Sequence, residues 1–173
     1  ELAAARRVDA EQLHATVGQQ RGFGPAAVRQ RERGRRRFWQ RRLGEQTEEE
    51  QEEIIEIATE EIKGKTHFQI GTGSYSTAAT IQMTQIAKDA GADSVLVVTP
   101  YYNKPTQEGI YRHFKAIVES VDIPVVVYNH PGRSGQLIQI DTLQRIAQLP
   151  NIIGVKDCSG QITHVSDVVE YKI

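Results

Sequence analysis

The chain has 173 residues, of which 39% are hydrophobic, and a formal net charge of −1, values typical of a globular protein of one domain. This charge does not favour nucleic acid or a membrane as a partner of the whole chain. No apolar run approaches the roughly 18 residues that a membrane span needs. Cys158 is the only cysteine in the sequence, so no intramolecular disulfide can form, and we expect a reducing, cytoplasmic location.

Arginine is distributed unevenly along the chain. Eleven of the 14 arginines lie in residues 1–42, whereas all seven lysines lie from Lys63 onward. This break predicts an Arg-rich segment over residues 1–46 and an ordered domain over residues 47–173. Two other interpretations of the first segment stay open. It could be an organelle transit peptide, which its lack of serine disfavours, or its residues 29–42 could be a basic arm that binds nucleic acid or phosphate, with Trp39 stacking on a base.

From Thr47 onward the sequence alternates between helical patterns and short apolar runs. Thr47 and Glu50 form a capping-box pattern at the start of a helix, and Gly64 is suited to end it. Later helices are predicted from apolar residues at helical spacing, one with Asp141 as its candidate N-cap, and a last one over about 163–171. The predicted buried faces are Ile55, Ala58 and Ile62; Ala79, Met83, Ile86, Ala87 and Ala90; Ile110, Phe114, Ile117, Val118 and Val121; and Leu143, Ile146 and Ala147.

The predicted strands begin near His67, Val95, Pro124 and Ile152, at intervals of 28, 29 and 28 residues. Apolar runs at such regular distances, separated by helices, predict an α/β protein with a parallel sheet. Two architectures have such a sheet, the open doubly wound sheet and the (β/α)8 barrel. The even spacing favours the barrel, of which about four βα units are recognisable, and no complete G-x-G-x-x-G turn favours a dinucleotide-binding fold.

Candidate catalytic residues follow the predicted strands, because parallel α/β folds carry their chemistry at the carboxyl ends of the strands. The stretch NIIGVKDCSG places Lys156 where an apolar strand ends. Burial disfavours the charged ammonium, and a neutral lysine amine is a nucleophile that forms Schiff bases with carbonyl compounds. The plainer alternative is a lysine that reaches water or pairs with Asp157.

Three further side chains are expected at the same edge of the sheet. Tyr128 ends the preceding strand and is a candidate proton relay, unless its ring only packs in the core. The guanidinium of Arg133, in the loop HPGRSG, suits a substrate carboxylate, unless it is simply solvated. Tyr101 and Tyr102 are adjacent in TPYYNKP, so one can serve this site and the other a neighbouring site, unless both pack within the loop.

Four motifs within residues 47–173 resemble the dihydrodipicolinate synthase family, in the order GTGS, TPYYNKPTQEG, YNHPGRSG and NIIGVKDCSG. This family, whose members are 4-hydroxy-tetrahydrodipicolinate synthases, belongs to the superfamily of class I pyruvate aldolases and N-acetylneuraminate lyase. The resemblance implies a (β/α)8 barrel with a C-terminal helical extension. It also implies a lyase of lysine biosynthesis that condenses pyruvate with aspartate-4-semialdehyde.

The resemblance assigns a role to each candidate residue. Lys156 forms the Schiff base with pyruvate, and Tyr128 relays protons to and from the substrate. Tyr102 completes that relay across a dimer interface, inserted from the partner subunit, and Arg133 helps to bind the semialdehyde carboxylate. The family further implies a homotetramer built from dimers, with no metal, no organic cofactor, no nucleic acid and no membrane as partner.

The chain departs from the family pattern before Thr47. The family's Gly-Thr-Thr-Gly-Glu turn, which supplies a relay threonine, falls at residues 38–42, where the sequence reads FWQRR. We therefore expect a segment of about 21–46 to be out of frame or otherwise corrupted, while Val8 to Gln20 resembles the family's first helix. The family's last strands and helical extension are expected beyond Ile173.

Alternatives to a working enzyme stay open at this point. One is an inactive truncated fragment, because half a barrel exposes apolar sheet edges. Another is a related pyruvate-dependent aldolase that acts on a different aldehyde. Tyr75 and Ala79 stand where lysine-sensitive members of the family have polar ligands, so feedback by lysine is not expected.

Overall fold

A computed structural model describes residues 16–17, 48–62 and 64–171 of the chain. Strands and helices alternate, and the strands form one parallel sheet in the order β1-β2-β3-β4-β5. The strands are β1 Thr16–Val17, β2 Gln69–Gly71, β3 Ser94–Val98, β4 Val125–Asn129 and β5 Ile152–Asp157. The helices are α1 Glu48–Ile62, α2 Thr77–Asp89, α3 Gln107–Ser120, α4 Pro131–Ser134, α5 Ile140–Ala147 and α6 Ile162–Glu170.

The order of the strands decides between the two predicted architectures. Each described strand pairs in parallel with the next one along the chain, from β1 to β5. A doubly wound sheet reverses its strand order at a switch point, and no reversal occurs among the described strands. The fold is therefore part of a (β/α)8 barrel, as the even spacing of the strands predicted.

The main apolar core lies between the sheet and its helices. Val95, Val97, Val125 and Val127 point from β3 and β4 into this layer, where they meet side chains of α1, α2, α3 and α5. Because β-strand side chains alternate between the two faces, every second residue of these strands is left for the other face. All five residues predicted for the buried face of α3 are buried: Ile110, Phe114, Ile117, Val118 and Val121.

Two local predictions about helices are wrong. Asp141 does not cap α5, because the helix begins at Ile140 and Asp141 lies in its first turn. Ala79 is exposed, and α2 instead buries Thr80 and Thr84. These two threonines are tolerated inside because each hydroxyl is hydrogen-bonded, that of Thr84 at 2.9 Å from the hydroxyl of Thr72.

The predictions for residues 1–46 lie almost entirely outside the described residues, as does the capping box at Thr47. Thr16 and Val17 form a strand beside β2, so the expectation of a helix over Val8 to Gln20 is wrong for these two residues. The last helix, predicted over about 163–171, is confirmed as α6, Ile162–Glu170. Among the described helices, none has the length and apolar character that crossing a membrane requires.

Candidate active site

A small apolar cluster on the other face of the sheet forms the floor of the candidate site. Leu96, Val98 and Tyr128 are buried there, with Tyr101, Val126 and Cys158 packed partly against them. These residues alternate with the valines of the main core along β3 and β4. The carboxyl ends of the strands meet at this point, where Val98 pairs with Tyr128 and Tyr128 pairs with Lys156.

An irregularity in β5 places Lys156 on the same face as Tyr128. Ile152 pairs with Val125, but the next pair is Gly154 with Val126, so Ile153 is an extra residue. Without this bulge, Lys156 would pair with Asn129 and its side chain would point toward the helices, because a shift of one residue exchanges the two faces of a strand. Sequence periodicity alone does not reveal this bulge.

The amine of Lys156 lies over the ring of Tyr128. Nζ is 4.5 Å from the ring centroid, a cation–π distance when the amine is charged, and the lysine is half-buried. The alternative in which Lys156 pairs with Asp157 is wrong, because Asp157 turns to the opposite face and contacts Asn129, Ser159 and His164 there. The amine is therefore directed into the candidate site rather than into a local ion pair.

Tyr128 buries its hydroxyl in this cluster, and its ring lies under the amine. The residue is 3% exposed, and within the described chain its hydroxyl has no hydrogen-bond partner of good geometry. Burial raises the pKa of the Tyr128 phenol, and Cys158 adds to the rise, while the positive charge of Arg133 opposes it. The phenol is thus held in its protonated form, able to donate a proton to a molecule bound above Lys156.

Asp157 is held as a carboxylate just behind the site. Burial by itself would raise the pKa of Asp157, but hydrogen bonds from Ser159 and Asn129 and the charge of His164 lower it below its usual range. The Ser159 hydroxyl donates to Oδ1 at 2.6 Å, and its backbone N–H donates to the same oxygen at 2.9 Å. These bonds form the turn that follows β5.

Arg133 and Tyr102 lie outside the buried cluster. Arg133 is exposed on the short helix α4, near enough to Tyr128 for its charge to affect the phenol. Tyr102 is 90% exposed, and its backbone has φ +69°, a left-handed conformation that is unusual for tyrosine. The structure therefore groups Lys156 and Tyr128, leaves Arg133 at the edge of the site, and directs Tyr102 into solvent.

Cys158 and Gly73 are two site residues that the sequence analysis did not assign. The backbone N–H of Cys158 donates to the carbonyl of Asn129 at 2.8 Å, which brings the thiol to the Tyr128 cluster. A Cβ on Gly73 would lie 2.5 Å from the backbone nitrogen of Val98, so only glycine fits this close approach. Cys158 could have been assigned to the site from its position two residues after Lys156. For Gly73 the sequence indicated only a turn.

Among the described residues, no group of three or more His, Cys, Asp or Glu side chains could hold a metal ion. The site offers instead an amine, a buried phenol and a nearby guanidinium. The family's relay threonine would fall within residues 38–42, which are outside the described part of the chain.

The strand order and the edge lysine define a class of protein, a partial (β/α)8 barrel of the type found in dihydrodipicolinate synthases. The model of the dihydrodipicolinate synthetase family matches residues 44–172. This chain therefore belongs to that family. The family resemblance expected from the four motifs is confirmed.

Curated relatives of this chain include two proteins named 4-hydroxy-tetrahydrodipicolinate synthase. The chain is 56% identical over 124 residues to the 4-hydroxy-tetrahydrodipicolinate synthase of Protochlamydia amoebophila. The matched stretch covers 72% of this chain and 41% of that protein. It is 50% identical over 121 residues to the synthase of Dechloromonas aromatica, covering 70% of this chain and 41% of that protein. The chain thus spans less than half the length of these relatives.

Solved structures support the same assignment of the fold. Dihydrodipicolinate synthase from Acinetobacter baumannii, solved in complex with pyruvate, superimposes with a TM-score of 0.72 at 42% identity, over 75% of this chain and 45% of that one. The Thermotoga maritima enzyme gives a TM-score of 0.69 at 42% identity, over 72% of this chain and 43% of that one. The part of the barrel described above is the part that these enzymes share with the chain.

Proposed function

We propose that the protein to which this chain corresponds is a 4-hydroxy-tetrahydrodipicolinate synthase, a lyase that condenses pyruvate with aspartate-4-semialdehyde. The observation that supports this most is the register of β4 and β5, which puts the amine of Lys156 over the ring of Tyr128 in a chain of this family. The catalytic residues that we propose are Lys156, Tyr128 and Tyr102, with Arg133 in substrate binding.

The first step is attack by the neutral Lys156 amine on the keto carbon of pyruvate. The resulting carbinolamine loses its hydroxyl as water when a proton is supplied, and the lysine nitrogen keeps a double bond to carbon. We propose Tyr128 as the proton donor at this point, because its buried hydroxyl is protonated and belongs to the ring over which the amine lies. The phenolate left on Tyr128 then takes a proton from the methyl group of the imine, which gives an enamine, and the enamine carbon attacks the aldehyde of the second substrate.

The second substrate needs a partner for its carboxylate. Arg133 is exposed on α4 at the edge of the site, and a guanidinium can bind a carboxylate through two parallel hydrogen bonds. No cofactor enters this chemistry, because the lysine amine is the covalent catalyst. A soluble cytoplasmic enzyme is consistent with these substrates.

Tyr102 is proposed to act in another subunit. Its side chain is 90% exposed and leaves the Tyr128 cluster, the arrangement needed to reach the site of a partner in a homodimer or homotetramer. One solved relative is described as a monomeric dihydrodipicolinate synthase variant, so the assembly of this chain needs its own measurement. Analytical ultracentrifugation of the 173-residue chain measures it directly.

Reductive trapping tests the proposed function. The chain is incubated with pyruvate and borohydride, digested, and mapped by mass spectrometry. We expect one reduced pyruvate adduct, on Lys156, and none in the Lys156→Arg variant, which keeps the positive charge but cannot form the Schiff base. A soluble, folded chain that gains no adduct, or gains it equally at other lysines, contradicts the proposal.

A second candidate is an inactive fragment of the same family. The supporting observation is the apolar surface that α6 leaves exposed, including Ile162 at 82% and Val169 at 72%, together with Ile153 on β5 at 58%. Trapping with pyruvate distinguishes this inactive fragment from a working synthase.

A third candidate is a related aldolase that acts on another aldehyde. Product analysis with aspartate-4-semialdehyde and with other aldehydes distinguishes it from the synthase.

A further inference from the structure

A closed ring of polar contacts lies behind the catalytic pair, on the helix side of the sheet. Asn129 and Asp157 are paired across β4 and β5, one residue beyond Tyr128 and Lys156. The Asn129 amide donates to Oδ2 of Asp157 at 2.7 Å, and its Oδ1 accepts the backbone N–H of Ile138 at 3.2 Å. One asparagine thus joins the ends of both strands to the segment before α5.

His164 on α6 closes this ring from the other side. Its Nε2 lies 2.9 Å from the carbonyl oxygen of Ile138, so it must donate its proton there. Its Nδ1 lies 3.0 Å from Oδ2 of Asp157, a contact that is close but not aligned as a hydrogen bond, and is therefore best described as an ion pair. The N–H and C=O of Ile138 are both bound, one by Asn129 and the other by His164.

The geometry of its two contacts favours a charged histidine ring. Both nitrogens face oxygen atoms that only accept, so a neutral ring would place a lone pair against one of them. His164 is 5% exposed, and among the described residues Asp157 is the ionised side chain in contact with it. An imidazolium directs an N–H toward each oxygen, and its pairing with this carboxylate offsets the cost of burying either charge alone.

The end of β5 is fixed by its pairing with β4 and by this ring. The bulge at Ile153 interrupts the pairing of β5 with β4. The position of Lys156 is therefore determined by β4 on one side and, one residue later, by Asp157 and its partners. A change in that carboxylate moves the backbone that carries the amine.

We propose that His164, in its imidazolium form, is a positioning residue for the pair of Lys156 and Tyr128, acting through Asp157 and the peptide group of Ile138. The effect of His164 on catalysis rests on the proposed function, whereas the ring of polar contacts is independent of that function. His164 has no contact with the reacting atoms. Its action is to hold the ends of β4 and β5 in the register that places the amine over the phenol.

The charge is tested by nitrogen-15 NMR of the histidine rings in the 173-residue chain near neutral pH. We expect His164, assigned by its absence in His164→Gln, to show both ring nitrogens protonated, while an exposed histidine shows the neutral form. A neutral tautomer of His164 at this pH overturns the proposal. This measurement needs no substrate.

The positioning is tested by the rate of pyruvate trapping at Lys156. We expect His164→Gln to be trapped about ten-fold more slowly than the parent chain, the size of effect that loss of one charged buried contact produces. Ser166→Ala, an exposed change on the same helix, is the control and is expected at the parent rate. Trapping of His164→Gln at the parent rate overturns the proposal.

The route through Asp157 is tested by a double variant. Asp157→Asn is expected to slow trapping, and adding His164→Gln to it should slow trapping no further, since both changes break one ring. If the two losses multiply, His164 acts by another route and the proposal fails.

If the parent chain itself is never trapped, the proposed function fails instead. The positioning is then decided by the nuclear Overhauser contact between Lys156 and the Tyr128 ring, whose persistence in folded His164→Gln overturns it.

Discussion

The two faces of the sheet differ in what they contain, although the same strands supply both. The face toward the helices is a continuous core of Val, Ile, Leu and Phe side chains from the sheet and from four helices. The opposite face has only a small buried cluster around Tyr128, with Lys156 at its edge. Strand alternation thus separates residues that stabilise the fold from the residues proposed to face a substrate.

Both faces contain buried polar atoms without a well-aligned hydrogen-bond partner. On the helix side the polar atoms of Asn129, Asp157, Thr72 and Thr84 are hydrogen-bonded, whereas Nε2 of His113 and Nδ1 of His164 are not. On the opposite face the buried hydroxyl of Tyr128 has no well-aligned partner within the described chain. An unpaired buried donor lowers stability, so its presence here is consistent with a group that acts on a bound molecule.

The largest expected effect comes from breaking the helix-side core. Ile117 is fully buried on α3, and Ile117→Ala should lower the free energy of unfolding by about 3 kcal/mol, through lost burial and a residual cavity. Ile162→Ala, the same change at a position that is 82% exposed, is the control. Urea denaturation measures both. Equal losses in the two variants would show that this core does not carry the stability.

A buried histidine in the same layer should make stability depend on pH. Burial lowers the pKa of His113 from 6.5 to about 4. The unfolded chain therefore binds a proton here that the folded chain does not, so stability falls as pH drops from 6.5 to about 4, by at most about 3 kcal/mol.

The test compares urea denaturation of the parent chain and His113→Leu across that pH range. The contribution of His113 is fully present above pH 6.5, and it should be missing from the variant at every pH. Asp157 and other acids titrate in both proteins, so their effect cancels in the difference. A difference that does not change with pH contradicts a depressed pKa at His113.

A smaller loss is expected where the two faces meet at the end of β3. Gly73→Ala would place a Cβ 2.5 Å from the Val98 nitrogen, and moving the backbone apart should cost about 2 kcal/mol. Gly154→Ala is the matched control, because a Cβ there meets nothing within 4 Å. Thermal melts of both variants measure the difference. Similar melting temperatures would mean that the loop before α2 moves freely.

The smallest expected change in stability comes from a substitution on the face of the sheet that carries Tyr128 and Lys156. Tyr128→Phe removes a buried hydroxyl whose contact with the Cys158 thiol is not well aligned as a hydrogen bond, so the free energy of unfolding should change by less than about 1 kcal/mol. Its pyruvate trapping at Lys156 should nevertheless slow at least about ten-fold, because the proton donor is gone. Unchanged trapping with unchanged stability would remove Tyr128 from the mechanism.

Most of the secondary structure could be predicted from local sequence patterns. The apolar spacing of α3 predicted its buried face, and the spacing of the strands predicted the barrel, because both patterns repeat within short stretches of chain. The face of α2 could not be predicted in the same way. Its buried threonines depend on partners elsewhere, such as Thr72, which a pattern of apolar residues does not register.

By itself, the sequence determined the order of the elements, the family, and which residues follow the strands: Lys156, Tyr128, Arg133 and Tyr102. It did not determine which of these side chains lie in contact in the folded protein. The tertiary structure decided that the bulge at Ile153 brings Lys156 over Tyr128, and that His164, Asp157 and Asn129 form a ring behind them. The reason is that register and buried polar contacts join residues 26 to 28 positions apart along the chain, beyond the range of helix and strand periodicity.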